Sequence, residues 1–368
     1  MKKLGFGTMR LPVDLQGNID VDLVTNMVDI FIENGFSYFD TAYGYMGKQA
    51  EKVLKTCLVD RYPREQFVIG DKLTLSKIPQ FSSMHDYFFE QLNNLGLDYI
   101  DVYLLHGLDS KKYELAKELN CFQFISSLKE NKKIKYGGVS FHDKSEMLEK
   151  ILYEQKDIDY VQLQINYLDW KDDLVQAEKC LNVAKKFNKR VIVMEPLKGG
   201  LLASVREMNK DLVTELDMNM SFASWGIRFA ASQDNVEIVL SGMNSIEQMC
   251  DNLNFMKDFT PISNHETNIL FEIVREYKNK SYIPCTKCKY CLDVCPQKLN
   301  IPMLLQILNE IKRTNNKSLF FNMKTYYESY SYSYKNATYC VGCGNCESEC
   351  PQKIAIKEHM NELKIVFG

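Results

Sequence analysis

The chain has 368 residues, 45% of them hydrophobic and 25% charged, with a formal net charge of −3. That length and balance suit a folded globular chain with one large domain and one small one. They exclude the basic surplus of a nucleic-acid binder or a polybasic membrane surface, and no apolar run approaches the roughly 18 residues of a spanning helix.

The opening stretch, MKKLGFGTMRLPVD, has two lysines but no apolar region behind them. No signal peptide is expected, and a cytoplasmic location follows as the expectation. Short β-branched runs then alternate with longer amphipathic stretches up to about residue 260. The runs at 4–9, 37–42, 67–73, 100–106, 135–141, 160–166, 191–197 and 237–243 are predicted strands. Most are apolar for several residues in succession, as in parallel strands covered on both faces.

Helical patterns lie between them. Over 21–35, Leu23, Val24, Met27, Val28, Phe31 and Ile32 form one stripe, and Gly35 stands at the C-terminal end. Residues 172–188 read as a helix whose late basic residues suit the helix dipole. Eight strand–helix alternations predict a (β/α)8 barrel. A doubly wound open sheet is the alternative, but no G-x-G-x-x-G follows the first strand.

The expected domains are a barrel over 1–262, a connecting helix over 263–280 and a small, mostly helical cysteine-rich domain over 281–368. In that last part, 301–312 is predicted to be helical. Residues 325–339 hold six tyrosines. These are expected to cover a small core, or to contact a partner or edge the active site.

In such barrels, chemistry sits at the C-terminal strand ends. The polar residues there are Asp40, Tyr45, Lys72, His106, Ser140, His142, Gln162, Asn166 and Glu195. Asp40, Tyr45, Lys72 and His106 form a coherent acid–base set. A tyrosine with a pKa near 10 is a poor acid at neutral pH. A lysine ammonium beside its oxygen favours the phenolate and lowers that pKa. An aspartate keeps the ammonium charged and fixed, and a histidine can orient a carbonyl oxygen. The set suits protonation of the alkoxide formed when hydride adds to a carbonyl. Singly, each residue also fits a structural role: a turn cap, a barrel ion pair, a core histidine, a packed ring.

The stretch FDTAYGYMGKQAE, followed by Lys72, by YLLH ending at His106, by GGVSF and by VQLQIN, resembles the aldo/keto reductases over residues 3–256. The resemblance implies a (β/α)8 barrel that moves hydride between NADP or NAD and a carbonyl or alcohol. It implies a catalytic tetrad of Asp40, Tyr45, Lys72 and His106, with Tyr45 as general acid. Ser140 and Gln162 match positions that bind the nicotinamide carboxamide. Glu195, Leu197 and Gly199 match the loop near the pyrophosphate, and Asp251 and Asn252 match the adenine side. Phe141 stands where asparagine usually follows the serine. Met194 occupies the position of the ring that stacks on the nicotinamide. Gly242 and Gln248 replace the cations that usually meet the 2′-phosphate, so NADP and NAD both stay open.

Twelve cysteines are present. Cys57, Cys121, Cys180 and Cys250 are scattered and expected to be small buried residues. The other eight form two runs, CTKCKYCLDVCP (285–296) and CVGCGNCESECP (340–351). Both read C-x2-C-x2-C-x3-C-P, the bacterial ferredoxin run for a [4Fe–4S] cluster, rather than a zinc site. In two-cluster proteins the fourth cysteine serves the other cluster. One cluster is therefore assigned to Cys285, Cys288, Cys291 and Cys350, the other to Cys340, Cys343, Cys346 and Cys295. The whole chain resembles aldo/keto reductases that carry a C-terminal ferredoxin-type domain.

A nicotinamide gives two electrons at once and a cluster takes one, with a flavin as the usual splitter. Three readings follow. The barrel reduces a small-molecule carbonyl, or oxidises an alcohol, with NAD(P)H, the clusters being structural, sensory or an outlet to a ferredoxin or flavodoxin partner. Or the barrel holds a flavin, or draws electrons from the clusters, as a ferredoxin-linked reductase. Or the chain is a non-catalytic electron carrier or docking module.

Overall fold

The computed structural model describes residues 2–207, 216, 220–278, 283–313, 327, 331 and 334–367. Eight parallel strands close into a barrel in chain order: β1 (Leu4–Gly7), β2 (Tyr38–Asp40), β3 (Val68–Leu73), β4 (Ile100–Leu108), β5 (Ile134–Phe141), β6 (Tyr160–Gln164), β7 (Arg190–Met194) and β8 (Val236–Ser241). The closing pair sets Leu4 beside Val239 and Phe6 beside Ser241. Every run expected to be a strand is one, with ends moved by up to three residues.

The barrel is filled rather than open. Tyr38, Val102, Leu104, Tyr160, Ile192, Ile238 and Leu240 pack together as one apolar cluster, the packed interior expected of eight strands. Outside it run α1 (Val21–Glu33), α2 (Ala50–Leu54), α3 (Met84–Leu95), α4 (Ser110–Glu118), α5 (Cys121–Glu130), α6 (Ser145–Glu154) and α7 (Ala177–Lys186). α1 is capped by Asp20, whose carboxylate accepts from the Leu23 N–H. Of the expected stripe, Val24, Met27, Val28 and Phe31 are buried, while Leu23 and Ile32 are half-buried.

The helix expected from 172 starts only at Ala177. The residues before it are held in turns. Asp172 Oδ1 accepts from the Leu174 and Val175 N–H groups at 2.9 and 3.1 Å, and Gln176 stands at φ 50°. Side chains that bond the nearby chain compete with a helix.

The chain divides into two compact units. One comprises residues 1–197 and 217–267, the other 198–216 and 268–368. The segment after β7 therefore leaves the barrel's unit, which the sequence did not signal. In the second unit, helix Ile301–Arg313 and helix Ile356–Phe367 pack around Ile283, Leu304, Leu308, Met360 and Leu363. Of the six tyrosines, Tyr327 is buried, stacks on Phe367 at 4.7 Å and accepts the Ala337 N–H through its hydroxyl at 3.1 Å. Tyr334 and Tyr339 are exposed; Tyr326, Tyr330 and Tyr332 lie outside the described residues. Cys57, Cys121 and Cys180 are buried, whereas Cys250 is exposed. No described helix is long and apolar enough to cross a membrane.

Candidate functional site

Three strand ends place the acid–base set. Asp40 ends β2 and Lys72 is the fifth residue of β3. Lys72 Nζ lies 2.5 Å from Asp40 Oδ2 and donates to the Thr41 carbonyl at 2.7 Å. Both side chains are almost wholly buried, at 1% and 4% exposure. Burial pushes the Asp40 carboxyl up, and the Lys72 charge and its hydrogen bond pull it back. A buried carboxylate is tolerated here because a cation answers it directly.

Tyr45 opens a short helical turn after β2. The next three residues, Met46, Gly47 and Lys48, all have positive φ. Such a run is costly for non-glycine residues and recurs where a site demands a fixed geometry. Lys72 Nζ stands 5.1 Å from the centroid of the Tyr45 ring. The His106 ring lies edge-on to it at 5.9 Å. His106 Nδ1 is 2.9 Å from Thr74 Oγ1. Burial, and then Lys72, His142 and Lys112, hold the His106 imidazole well below its usual pKa. It is therefore neutral at physiological pH and can donate one N–H without bringing a charge. Thr74 was not singled out from the sequence; its place two residues past Lys72, level with His106 on β4, is the signal.

Ser140 and Gln162 are side by side on β5 and β6. Gln162 Nε2 donates to Asp40 Oδ1 at 3.3 Å, which links this pair to the acid–base set. Ser140 Oγ lies 3.8 Å from Met194 Sδ, and Phe141 is buried. Glu195 has φ 55°, and its carbonyl accepts from Asn166 Nδ2 at 3.0 Å. Leu197 is the last residue before the chain passes to the second unit. Asp251 accepts from Ser221 Oγ at 2.6 Å, and Asn252 Nδ2 donates to Ser241 Oγ at 2.9 Å. Gln248 accepts the Asn244 N–H at 3.0 Å, closing the turn with a neutral side chain at this position. Gly199 belongs to the second unit. A side chain there would meet Thr286 at 2.7 Å, so the loop's course past Thr286 already requires a glycine.

The cysteine centre lies within the second unit. Cys291, Cys346 and Cys350 are buried in its apolar core, with Cys285, Cys295 and Cys340 packed at the edge. Burial raises the Cys291 thiol, and Cys288, Cys285, Cys350 and Cys346 raise it further by their charge. Cys346 is pushed up to about 11 by burial, then by Glu347, Cys340 and Cys343. A cavity is lined by Cys295, Cys340, Cys343 and Cys346 together with Leu299, Ile301 and Met360. Cys295 of the first motif thus shares a cavity with Cys340, Cys343 and Cys346 of the second, and Cys350 and Cys346 both lie near enough to Cys291 to act on its charge. The Leu299 N–H donates to Cys295 Sγ at 3.4 Å, the kind of bond that tunes a cluster thiolate.

Among the described residues no three cysteine, histidine or carboxylate groups converge tightly enough for one metal ion. A tetrahedral zinc, with sulfurs about 2.3 Å away, would need such convergence. A four-iron cluster carries its thiolates on the outside of a bulky core and needs a wider cage. Thiols that feel each other's charge in an apolar pocket fit that group.

Known proteins resemble both units. The aldo/keto reductase family model matches residues 3–275, and the 4Fe-4S dicluster domain model matches 284–355. An aldo-keto reductase of Mycobacterium avium (strain 104) is 29% identical over 147 residues, 40% of this chain and 48% of that protein. The chain thus spans about half the length of the curated relative it matches. The holo form of an aldo-keto reductase from Bacillus halodurans superposes with TM-score 0.60 at 21% identity, covering 74% of this chain and 91% of that one. An aldo-keto reductase from Klebsiella pneumoniae in complex with NADPH gives 0.60 at 20% identity, covering 74% and 90%. At such identities the likeness speaks for the fold.

Proposed function

The chain belongs to the aldo/keto reductase family, and from that premise we propose that its barrel catalyses NAD(P)H-dependent reduction of a small carbonyl compound, or the reverse alcohol oxidation. The observation that carries the reading is the buried Lys72–Asp40 pair with the Tyr45 and His106 rings gathered about it. When bound, the nicotinamide supplies the hydride that a carbonyl carbon accepts.

The chain's own residues handle the proton. Tyr45 donates its phenolic proton to the carbonyl oxygen as negative charge develops there. The Lys72 ammonium stabilises the phenolate left behind, and Asp40 holds that ammonium in place. His106 stays neutral. With Thr74 Oγ1 donating to Nδ1, its other nitrogen carries the N–H and orients the carbonyl oxygen. In the oxidative direction the same phenolate takes the alcohol's proton.

Ser140 and Gln162 are the proposed nicotinamide-side contacts, with Glu195 and Leu197 toward the pyrophosphate and Asp251 and Asn252 at the adenine end. In the second unit, Cys285, Cys288, Cys291 and Cys350 are proposed to hold one [4Fe–4S] cluster, and Cys295, Cys340, Cys343 and Cys346 the other. Bound clusters supply one-electron steps.

The test is isotopic. Anaerobic holoprotein is given NADPH deuterated at the transferable position and 4-nitrobenzaldehyde as a probe carbonyl. The reading expects one deuterium in the alcohol product. Reduction without deuterium would contradict direct hydride transfer.

A further inference from the structure

β3 carries two buried ionisable residues on opposite faces. Side chains alternate along a strand, so Lys72 faces the barrel interior while Asp71 faces the surrounding helices. Asp71 is 0% exposed. Its Oδ1 accepts the Lys72 backbone N–H at 2.7 Å, and its Oδ2 is buried with no donor facing it. The Glu51 carboxyl of α2, 1% exposed, lies within hydrogen-bonding reach of Asp71.

The helices fix Glu51 from the other side. Glu51 Oε1 accepts from Gln91 Nε2 at 3.1 Å and Oε2 from Asn94 Nδ2 at 2.8 Å, both donors on α3. The same Gln91 nitrogen donates to the Lys72 carbonyl at 3.2 Å, and Gln91 Oε1 accepts from Tyr103 at 2.6 Å. Lys72 is thus gripped at both backbone groups: its N–H by Asp71, its carbonyl by Gln91.

Two carboxylates in contact inside an apolar layer repel strongly, and one neutralises instead. A proton between them supplies the donor that Asp71 Oδ2 needs. The surrounding charges favour keeping it. Glu90 on α3 adds negative charge beside Glu51, and Asp40 adds it beside Asp71 across the sheet, with Lys72 the opposing cation.

We propose that Glu51 and Asp71 share one proton, and that this pair, with Gln91, clamps the end of β3 that presents Lys72 to Tyr45. Glu51 and Asp71 are positioning residues; the function of the clamp rests on the reading of Lys72 given above. Burial is the first cause that pushes Glu51 up to about 7, and burial and then Glu51 raise Asp71 well above the usual carboxylate range. Both shifts are upward. The stability the pair contributes is therefore full below the ordinary carboxyl range and lost as pH rises through the two raised values. Once both groups are ionised, two like charges push α2 away from β3.

Infrared spectra of the full-length holoprotein, recorded on both sides of neutrality, test the shared proton. Wild type is expected to show a protonated-carboxyl stretch at neutral pH that fades as pH is raised further. In Asp71→Asn the side-chain amide would donate to Glu51, whose carboxylate then has three donors and stays ionised, so the band is lost. Glu51→Gln should lose it too, and serves if the first variant folds poorly. Identical bands in wild type and both variants would overturn the shared proton. Hydrogen exchange of the β3 amides, corrected for intrinsic rates, tests the clamp. Wild-type protection should fall about tenfold with rising pH, while Asp71→Asn keeps it; the same pH dependence in both would overturn the clamp. Neither measurement needs turnover, so their failure is separable from failure of the hydride-transfer reading.

Discussion

The barrel and the cysteine unit assemble their chemistry in opposite ways. In the barrel, Asp40, Tyr45, Lys72 and His106 come from three neighbouring strand ends, and no two of them are adjacent in sequence. In the second unit, each motif folds locally and twice over. Positive φ occurs at Lys287, Lys289 and Lys298 in the first motif and at Gly342, Gly344 and Lys353 at the matching positions of the second. The turn bonds match too: the Cys295 N–H donates to the Leu292 carbonyl as the Cys350 N–H does to Glu347, and Lys298 N–H to Cys295 as Lys353 N–H to Cys350. A local motif can be recognised from spacing alone. A dispersed site becomes visible only once the fold that gathers it is known.

Changes in the two regions should therefore fail differently. The largest effect is expected from Cys295→Ser. If the last cysteines are exchanged, the variant loses the cluster of the other motif, and iron per chain falls by about half. Electron paramagnetic resonance of the reduced protein should show the signal of the remaining cluster alone. Loss of the cluster held by Cys285, Cys288 and Cys291 instead would contradict the exchange.

Next comes Lys72→Met. It leaves Asp40 buried without its cation, which is expected to destabilise the barrel by about 3–5 kcal/mol in urea unfolding followed by tryptophan fluorescence. Cluster absorbance at zero denaturant should be unchanged. A smaller change is expected from His106→Gln, which removes one neutral hydrogen bond to the carbonyl and should lower kcat/KM about tenfold. The depressed pKa of His106 also has a stability consequence. Its contribution is present above the ordinary histidine value of 6.5 and is lost as pH falls below it. The variant should therefore flatten the acid side of a melting-temperature profile.

The smallest effect is in the motif turns. Lys289 holds a left-handed conformation where the second motif has Gly344. Lys289→Gly should relieve about 0.5–1 kcal/mol, seen as a few-fold slower bleaching of the clusters in guanidinium.

Much of the fold was legible because its signals are periodic. Eight apolar runs gave eight strands, and the stripe in 21–35 gave α1. The misplaced start of α7 had a local cause, the bonds of the Asp172 carboxylate to the Leu174 and Val175 N–H groups. The acid–base set was legible as polar residues at strand ends. Thr74 and the Glu51–Asp71 pair were not, because their partners meet across elements distant in sequence. Asp71 left one trace, a carboxylate beside Lys72 in the strand run FVIGDKL. The passage of the segment after β7 into the second unit left none.

Tyr45 is assigned the proton donation in a hydride transfer performed in the barrel. Tyr45→Phe removes one oxygen and keeps the ring. Measured on anaerobic holoprotein with NADPH and 4-nitrobenzaldehyde, kcat is expected to fall by about 10²–10⁴-fold, while the NADPH Kd, read from nucleotide fluorescence, stays within about twofold of wild type. Turnover equal to wild type at unchanged nucleotide affinity would contradict the assignment.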